Sequence, residues 1–236
     1  MAIIKYKYRN CSKGQFFMIG ITSFFDLKHT LCTELFKCSA YPWDALDRIK
    51  DFINDLAKKA SHDDFFVEGD SLIISKHAKI SPKAEINGPC FIGHGCEIRP
   101  FAFIRGNAII GDLCVIGNSS EIKNSILFDG AKLPHYNYVG DSIIGHLAHM
   151  GAGAIASNMK SDGSDVSVFW ENEKIPSGRR KLGAIIGDHA EIGCACVLNP
   201  GSIIGRNSII YPNSTIRGYI PENSIRKSDG SLVTRR

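Results

Sequence analysis

From Ile74 to Leu133 an aliphatic or aromatic residue returns at every sixth position, and this spacing constrains the fold more than any other feature of the chain. The positions are Ile74, Ile80, Ile86, Ile92, Ile98, Ile104, Ile110, Ile116, Ile122 and Phe128. Four residues after each runs a second series, Ala78, Ala84, Cys90, Cys96, Ala102, Ala108, Cys114 and Ser120, which stays small until Ile126 and Lys132 break it. An amphipathic helix repeats every 3.6 residues and an alternating strand every two, so neither places one large residue every six and a small one four later. Short strands joined by bends do. The large residue points into a prism, the small one fills the tight inner corner, and Gly93, Gly111 and Gly117 follow the large residue where the backbone must bend. The fold this predicts is mainly β, a parallel β-helix of hexapeptide repeats. A period does not encode handedness, and the rule for parallel crossovers by itself favours a right-handed coil.

After Leu133 the sextets slip across PHYNYVGDS, and Ile144 and Met150 restore them for two repeats. The polar segment 157–184 leaves the frame again before Ile186, Ile192, Leu198, Ile204, Ile210 and Ile216 complete it. That segment reads as a loop thrown out of the prism, and loops on a rigid scaffold often carry chemistry. Residues 1–66 lie outside the repeat. KYKYRN alternates as a strand does, whereas PWDALDRIKDFINDLAKK, opened by Pro42 and Asp44, places Leu46, Ile49, Ile53, Leu56 and Ala57 on one helical face and Lys58 and Lys59 at its end. The expected role of this helix is to cover the open first coil, whose sheet edge would otherwise be exposed. Residues 20–40, with Phe24, Phe25, Leu31, Leu35 and Phe36, are expected to be packed, with helix and strand both open. The division expected is a small N-terminal α/β cap over 1–66, the β-helix over 67–225 with its insertion at 157–184, and a tail over 226–236.

A net charge of +4, with basic residues scattered apart from Arg179, Arg180 and Lys181, points to neither nucleic acid nor a membrane surface. MAIIKYKYRN lacks the apolar core of a secretory signal, and no apolar run approaches the roughly 20 residues of a bilayer span. Among the cysteines, Cys90, Cys96, Cys114 and Cys196 fall on small corner positions as buried hydrophobes. Cys194 and Cys196 lack a second close pair at zinc-site spacing, and Cys11, Cys32 and Cys38 are isolated, so no metal is expected. This usage suits a reducing, cytoplasmic compartment.

The stretch EIKNSILFDGAKLPHYNYVGDSIIGHLAHMGAGAIASN resembles the acetyltransferase domain of the bifunctional N-acetylglucosamine-1-phosphate uridylyltransferase/glucosamine-1-phosphate N-acetyltransferase. SGRRKLGAIIGDHAEIG and the upstream YPWDALD are more similar to the archaeal-type sugar-phosphate nucleotidyltransferase with acetyltransferase activity. The resemblance extends over roughly residues 41–225, and its specific part is the ordered set Arg105, Glu121, Lys123, His135, Tyr138, Gly140 and the GAG at 151–153. It implies a left-handed prism with three sextets to a coil, so eighteen sextets imply about six coils. It also implies a homotrimer, acetyl-CoA as co-substrate, and N-acetylation of an amino-sugar phosphate, with glucosamine 1-phosphate the leading candidate. The glycine-rich Gly-Thr-Arg run of the family's nucleotidyltransferase domain is not found in this sequence, so uridylyl transfer is not expected.

Carried over residue by residue, the resemblance gives His135 the part of general base, since an amine attacking a thioester must lose a proton and an imidazole titrating near neutrality can take it. Glu121 would orient that imidazole and stabilise the imidazolium. Arg105 and Lys123 would hold the sugar phosphate, an arginine fork and a lysine point charge both suiting a phosphate dianion. Tyr138 would contact the sugar, and the Ala152 N–H would face the thioester oxyanion. Asn158 matches a cofactor contact, while Met159 replaces the tyrosine of the bacterial enzymes and His149 their substrate-binding asparagine. Arg179, Arg180 and Lys181 either hold coenzyme A phosphates or pair with Asp162, Asp165, Glu171 and Glu173. Two other readings are a non-catalytic scaffold or regulatory partner of a sugar nucleotidyltransferase, and a metalloenzyme of the γ-carbonic-anhydrase kind built on His94, His135, His146, His149 and His189. The latter expects a close histidine pair in a matching coil, which this sequence does not supply.

Overall fold

The computed structural model describes residues 19–37, 39–69 and 71–235. Three parallel sheets enclose a left-handed prism, and because each coil gives one strand to each face, every sheet collects every third strand. The first and second faces hold nine strands each and the third holds seven. Both nine-stranded sheets consist of eight parallel strands and one antiparallel edge strand. On the first face the edge strand is β1 (Phe65–Glu68), paired with β2 (Leu72–Ser75). On the second it is Leu232–Thr234, folded back on Ser224–Arg226.

The hexapeptide frame explains the core. Ile74, Ile92, Ile110, Leu127, Ile144, Ile186 and Ile204 stack in register on the first face. Ile80, Ile98, Ile116, Leu133, Met150, Ile192 and Ile210 occupy the second, and Ile86, Ile104, Ile122, Val139, Ala156, Leu198 and Ile216 the third. All are buried except those of the first coil, Ile74, Ile80 and Ile86. The small residues Cys90, Cys96, Ala102, Ala108, Cys114, Ala131 and Cys196 are buried among them.

The frame breaks one turn earlier than the sextets suggest, and by a single residue. Ile110 pairs with Leu127 and Leu127 with Ile144, so both of these coils have 17 residues where Ile92 to Ile110 has 18. Leu127, and not Phe128, therefore points into the prism. PHYNYVGDS is no interruption, since Lys132–His135 and Tyr138–Gly140 are strands in the regular stack. The prism accordingly has seven coils with strands on all three faces, more than the six expected. The shortening occurs where chain passes from the third face to the first: the corner Gly106–Asn107 is reduced to Asn124 in the next coil and to Asp141 in the one after. Asn124 and Asp141 have φ of 48° and 49°, a left-handed conformation that Asn and Asp tolerate better than most side chains.

The described part of the N-terminal segment, residues 19–57, runs along the first face rather than over the open first coil. It comprises short 3-10 turns at Ile21–Ser23 and Leu27–His29, helix α1 (Thr33–Lys37), a 3-10 stretch Pro42–Arg48 and helix α2 (Ile49–Ala57). The predicted amphipathic helix is thus 3-10 in its first half, where Asp44 caps the Tyr41 N–H at 2.9 Å. Phe24, Phe25, Leu35, Phe36, Trp43, Phe52 and Ile53 form one buried cluster with Ile73, Phe91, Ile109, Ile126, Ile143, Ile185 and Ile203, the outward residues of the first-face strands. Phe128 belongs here, its ring 4.8 Å from that of Phe25 and 5.7 Å from that of Phe36. The reason is chemical. Outward positions on this face are apolar in coil after coil and require cover, whereas Lys79, Glu85, Glu97 and Glu121 occupy such positions on the others. KYKYRN, Cys11 and Cys38 lie outside the described residues.

Segment 157–184 is not a free loop. Val166–Trp170 and Glu173–Arg179 form an antiparallel hairpin that buries Val166, Val168 and Ile175 in the same cluster. Trp170 meets Phe24 edge-on at 5.2 Å and Tyr219 at 4.2 Å, so the hairpin and the N-terminal segment share one core.

Candidate functional site

Parallel stacking turns sequence spacing into rows on the third face. Phe103, Glu121, Tyr138 and Ile155 are in register, and one row over, just past the inward residues, come Arg105, Lys123, Gly140 and Ser157. Adjacent rungs lie about 4.8 Å apart, which brings Arg105 and Lys123 together although 18 residues separate them. Arg105 Nη1 donates to Glu121 Oε1 at 2.7 Å, and this bond pushes the already basic guanidinium further up. The guanidinium also lies over the Phe103 ring, 5.9 Å from its centre. In the single chain, Glu121 is therefore held by Arg105, and no hydrogen bond reaches the His135 ring among the described residues.

His135 ends its strand at the corner between the second and third faces, with its side chain exposed. Asn137, which is 2 % exposed, shapes this corner: its Oδ1 accepts from the His135 N–H at 3.1 Å and its Nδ2 donates to the Gly151 carbonyl at 2.8 Å. The Gly153 N–H in turn donates to the His135 carbonyl at 3.0 Å, so the turn holding Ala152 lies one rung from His135. His135 and Ala152 thus share a corner. On the other side, the strand of His135 stacks closely on the coil before it because residue 117 is glycine, where a Cβ would lie 1.5 Å from the Pro134 carbonyl oxygen.

A polar network missed in the sequence connects three rungs of the third face. Asp141, 6 % exposed, accepts from Asn124 Nδ2 at 2.7 Å and from Asn158 Nδ2 at 2.5 Å. The Tyr138 hydroxyl lies near this network, against the same glycine as the Asn158 amide. Burial, followed by the charges of Glu121 and Asp141, pushes the Tyr138 phenol up, so it keeps its proton. A Cβ on Gly140 would fall 2.6 Å from both the Asn158 nitrogen and the Tyr138 oxygen, so only glycine leaves room for both side chains. The shortened sextets around Asn124 and Asp141 were the signal available in the sequence.

The remaining candidates are dispersed. His149 lies on the second face, where its Nδ1 is 2.8 Å from Glu191 Oε2, away from the Tyr138 row. Arg179 is bonded to Asp47 beside α2 rather than to an acid of its own segment. Arg180 and Lys181 are exposed, Lys181 bridging the backbone of Met159. Between the hairpin and the third face is a cleft of about 400 Å³ lined by Ser157, Lys160, Asp162, Phe169, Lys174 and Arg217. His94 and His146 sit at the corner of the first and second faces, bonded to Ser75 Oγ at 2.7 Å and the Asp129 carbonyl at 2.6 Å. Among the described residues no three His, Cys, Asp or Glu side chains are grouped to hold a metal ion. No described helix is long and apolar enough to cross a membrane.

The sequence matches the profile of the GMPPB C-terminal domain over residues 86–175 and that of the bacterial transferase hexapeptide, six repeats, over residues 183–218. A bifunctional protein GlmU of Methanococcus maripaludis is 38% identical over 200 residues, covering 83% of this chain and 48% of that protein. A bifunctional sugar-1-phosphate nucleotidylyltransferase/acetyltransferase of Sulfurisphaera tokodaii is 36% identical over 179 residues, 74% of this chain and 44% of that one. The chain spans about half the length of the curated relatives it matches. Among solved structures, the acetyltransferase domain of PglB from Neisseria gonorrhoeae aligns with a TM-score of 0.26 at 12% identity, over 69% of this chain and 56% of that one.

Proposed function

For a left-handed hexapeptide β-helix that resembles the GlmU-type bifunctional proteins over 83% of its length, we propose the activity of an acetyl-CoA-dependent N-acetyltransferase acting on an amino-sugar phosphate, with glucosamine 1-phosphate the first substrate to try. The observation that carries this reading is the third face, where Arg105, Lys123 and Tyr138 stand on consecutive rungs beside the corner that presents His135 and Ala152. Two cations one rung apart suit a phosphate dianion. The exposed imidazole is free to take a proton from the attacking amine, and the Ala152 N–H is offered to the oxyanion that forms at the thioester carbonyl. Transfer is direct: the amine nitrogen bonds to the acetyl carbon, the carbon–sulfur bond breaks, and coenzyme A leaves as the thiol. Glu121 is proposed to support the imidazolium, after exchanging its bond to Arg105 when a sugar phosphate binds that guanidinium.

We further propose a homotrimer in which neighbouring subunits complete the site, His149 contributing from the second face and Arg180 and Lys181 meeting coenzyme A phosphates. Arg179, tied to Asp47, is the least available of the three cations for that part. The test is a screen of amino-sugar phosphates with acetyl-CoA, following free thiol, on wild type and His135→Ala. The expected result is turnover that falls roughly 10²–10⁴-fold in the variant, with coenzyme A affinity kept. Wild-type turnover in His135→Ala would remove the mechanism and leave the fold untouched.

A further inference from the structure

We propose that the cleft between the hairpin and the third face binds a nucleoside diphosphate, at a site distinct from the row of Arg105 and Lys123. Its walls are fixed by close packing. Val166, Val168 and Ile175 point from the hairpin into the buried cluster, so Phe169, and Lys174 paired across from it, turn the other way and line the cleft. The hairpin rests on two corner glycines: a Cβ on Gly201 would lie 2.9 Å from the Ser167 carbonyl oxygen, and one on Gly218 3.4 Å from the Phe169 Cβ. The opposite wall carries Asn199 and Arg217 on consecutive rungs. Three cations line the cleft against one carboxylate. Lys160 is already engaged, by Ser164 Oγ, by the Asp165 carbonyl at 3.2 Å and by Asp162 at 3.8 Å. Lys174 and Arg217 have no hydrogen-bond or ion-pair partner among the described residues. Like charges lining one cleft repel until an anion joins them, and a diphosphate offers each cation a phosphate of its own. Phe169, 41% exposed, is an apolar ring in this polar setting, a platform on which any base can stack. Asn199 Nδ2 donates to the Ile216 carbonyl at 2.9 Å, which leaves its Oδ1 to accept from a ribose hydroxyl. The volume of about 400 Å³ falls within the roughly 300–1,000 Å³ of small-molecule sites. Arg217 stands four rungs beyond Lys123, about 19 Å at the strand spacing, so one sugar phosphate does not reach both.

Titration calorimetry of the whole chain with UDP, ADP, pyrophosphate and coenzyme A tests the site without requiring turnover. UDP or ADP should bind, and Lys174→Ala and Arg217→Ala should each weaken that binding about tenfold, the worth of a charge-assisted hydrogen bond. Phe169→Ala should weaken the nucleotide at least about fivefold and leave pyrophosphate at its wild-type affinity. Lys123→Ala, in the other row, should leave the nucleotide affinity unchanged. All three cleft side chains are exposed, so the variants should keep the wild-type circular dichroism. Coenzyme A carries a nucleoside diphosphate of its own, and its arm separates the two sources. An affinity for coenzyme A that falls with Lys174→Ala and Arg217→Ala as ADP's does assigns the cleft to the nucleotide end of coenzyme A; one that holds while UDP or ADP is lost assigns it to a free nucleotide. No binding at millimolar nucleotide, a nucleotide affinity unmoved by Lys174→Ala and Arg217→Ala or by Phe169→Ala, or one that Lys123→Ala lowers instead, would overturn the proposal.

Discussion

Phe128→Ala separates two registers of this chain that look alike on paper. In an unbroken hexapeptide frame Phe128 would fill the prism; in the structure it faces away, buried against Phe25 and Phe36. Removing a fully buried phenyl ring costs about 3–5 kcal/mol, and the two ring pairs supply roughly 0.5–1.5 kcal/mol each of that beyond simple burial. The loss falls on the contact between residues 19–57 and the first face, while the coils on either side keep their inward column Ile110, Leu127, Ile144. Both tryptophans report on it, because Trp43 and Trp170 belong to that same cluster. In a denaturant titration, tryptophan emission should therefore change well before the β-sheet circular dichroism, and proteolysis should open residues 19–57 first. Leu127→Ala, at about 2–5 kcal/mol, should instead move the circular dichroism transition. If Phe128→Ala lowered the β-sheet transition and left the tryptophan signal and the N-terminal cleavage rate at wild-type values, the assigned register would be wrong.

Gly117→Ala drives a methyl into the Pro134 carbonyl beneath the His135 turn; the expected loss is about 1–3 kcal/mol or more, read as a lower melting temperature, and an unchanged one would contradict the close stacking. Ile110→Asp buries an unpartnered charge in the middle of the prism and should abolish folding, whereas Ile80→Asp, in the half-exposed first coil, should be tolerated; equal damage by circular dichroism would mean that the first coil is covered. Burial pushes the Asp129 carboxyl up to about 6, so the folded protein holds this proton more tightly than the unfolded chain does. The stability it contributes is present at low pH and lost as pH rises from about 4 through about 6. Asp129→Asn should consequently gain melting temperature relative to wild type across that window; a difference that stays constant with pH would count against the burial as the cause.

The inward columns were legible because one residue per sextet must fill a closed prism, and Ile74, Ile92 and Ile110 leave no alternative to their frame. Leu127 and Phe128 did leave one: both are large and apolar, and only the pairing of whole coils decides which of two such neighbours turns in. The covered face was written in the sequence as well, in a form that a search for single columns passes over. Apolar residues are doubled on every third sextet, at Phe91–Ile92, Ile109–Ile110, Ile126–Leu127, Ile143–Ile144, Ile185–Ile186 and Ile203–Ile204, and a strand apolar on both sides needs a second layer. In the site, Arg105, Lys123 and Tyr138 follow from the same arithmetic, since residues 17 or 18 apart must be neighbours on one face. The Asp141 network obeys the same arithmetic, Asn124, Asp141 and Asn158 lying 17 residues apart, but its members sit at the shortened corner, between the inward columns that the count of sextets follows.

Asp26 donates its N–H to Asp188, a partner 162 residues further along the chain. During synthesis at roughly 5–20 residues per second the early segment must therefore wait about 8–32 s for its partner. Within that interval Phe25 and Phe36 can meet Phe128 once it emerges, whereas Phe24 waits longer, for Trp170, while the coils can assemble one upon the next as they emerge. The ribosome thus delivers the wall before the whole of the surface it leans on, and holding factors that bind aromatic segments would have their longest opportunity around residues 24–43.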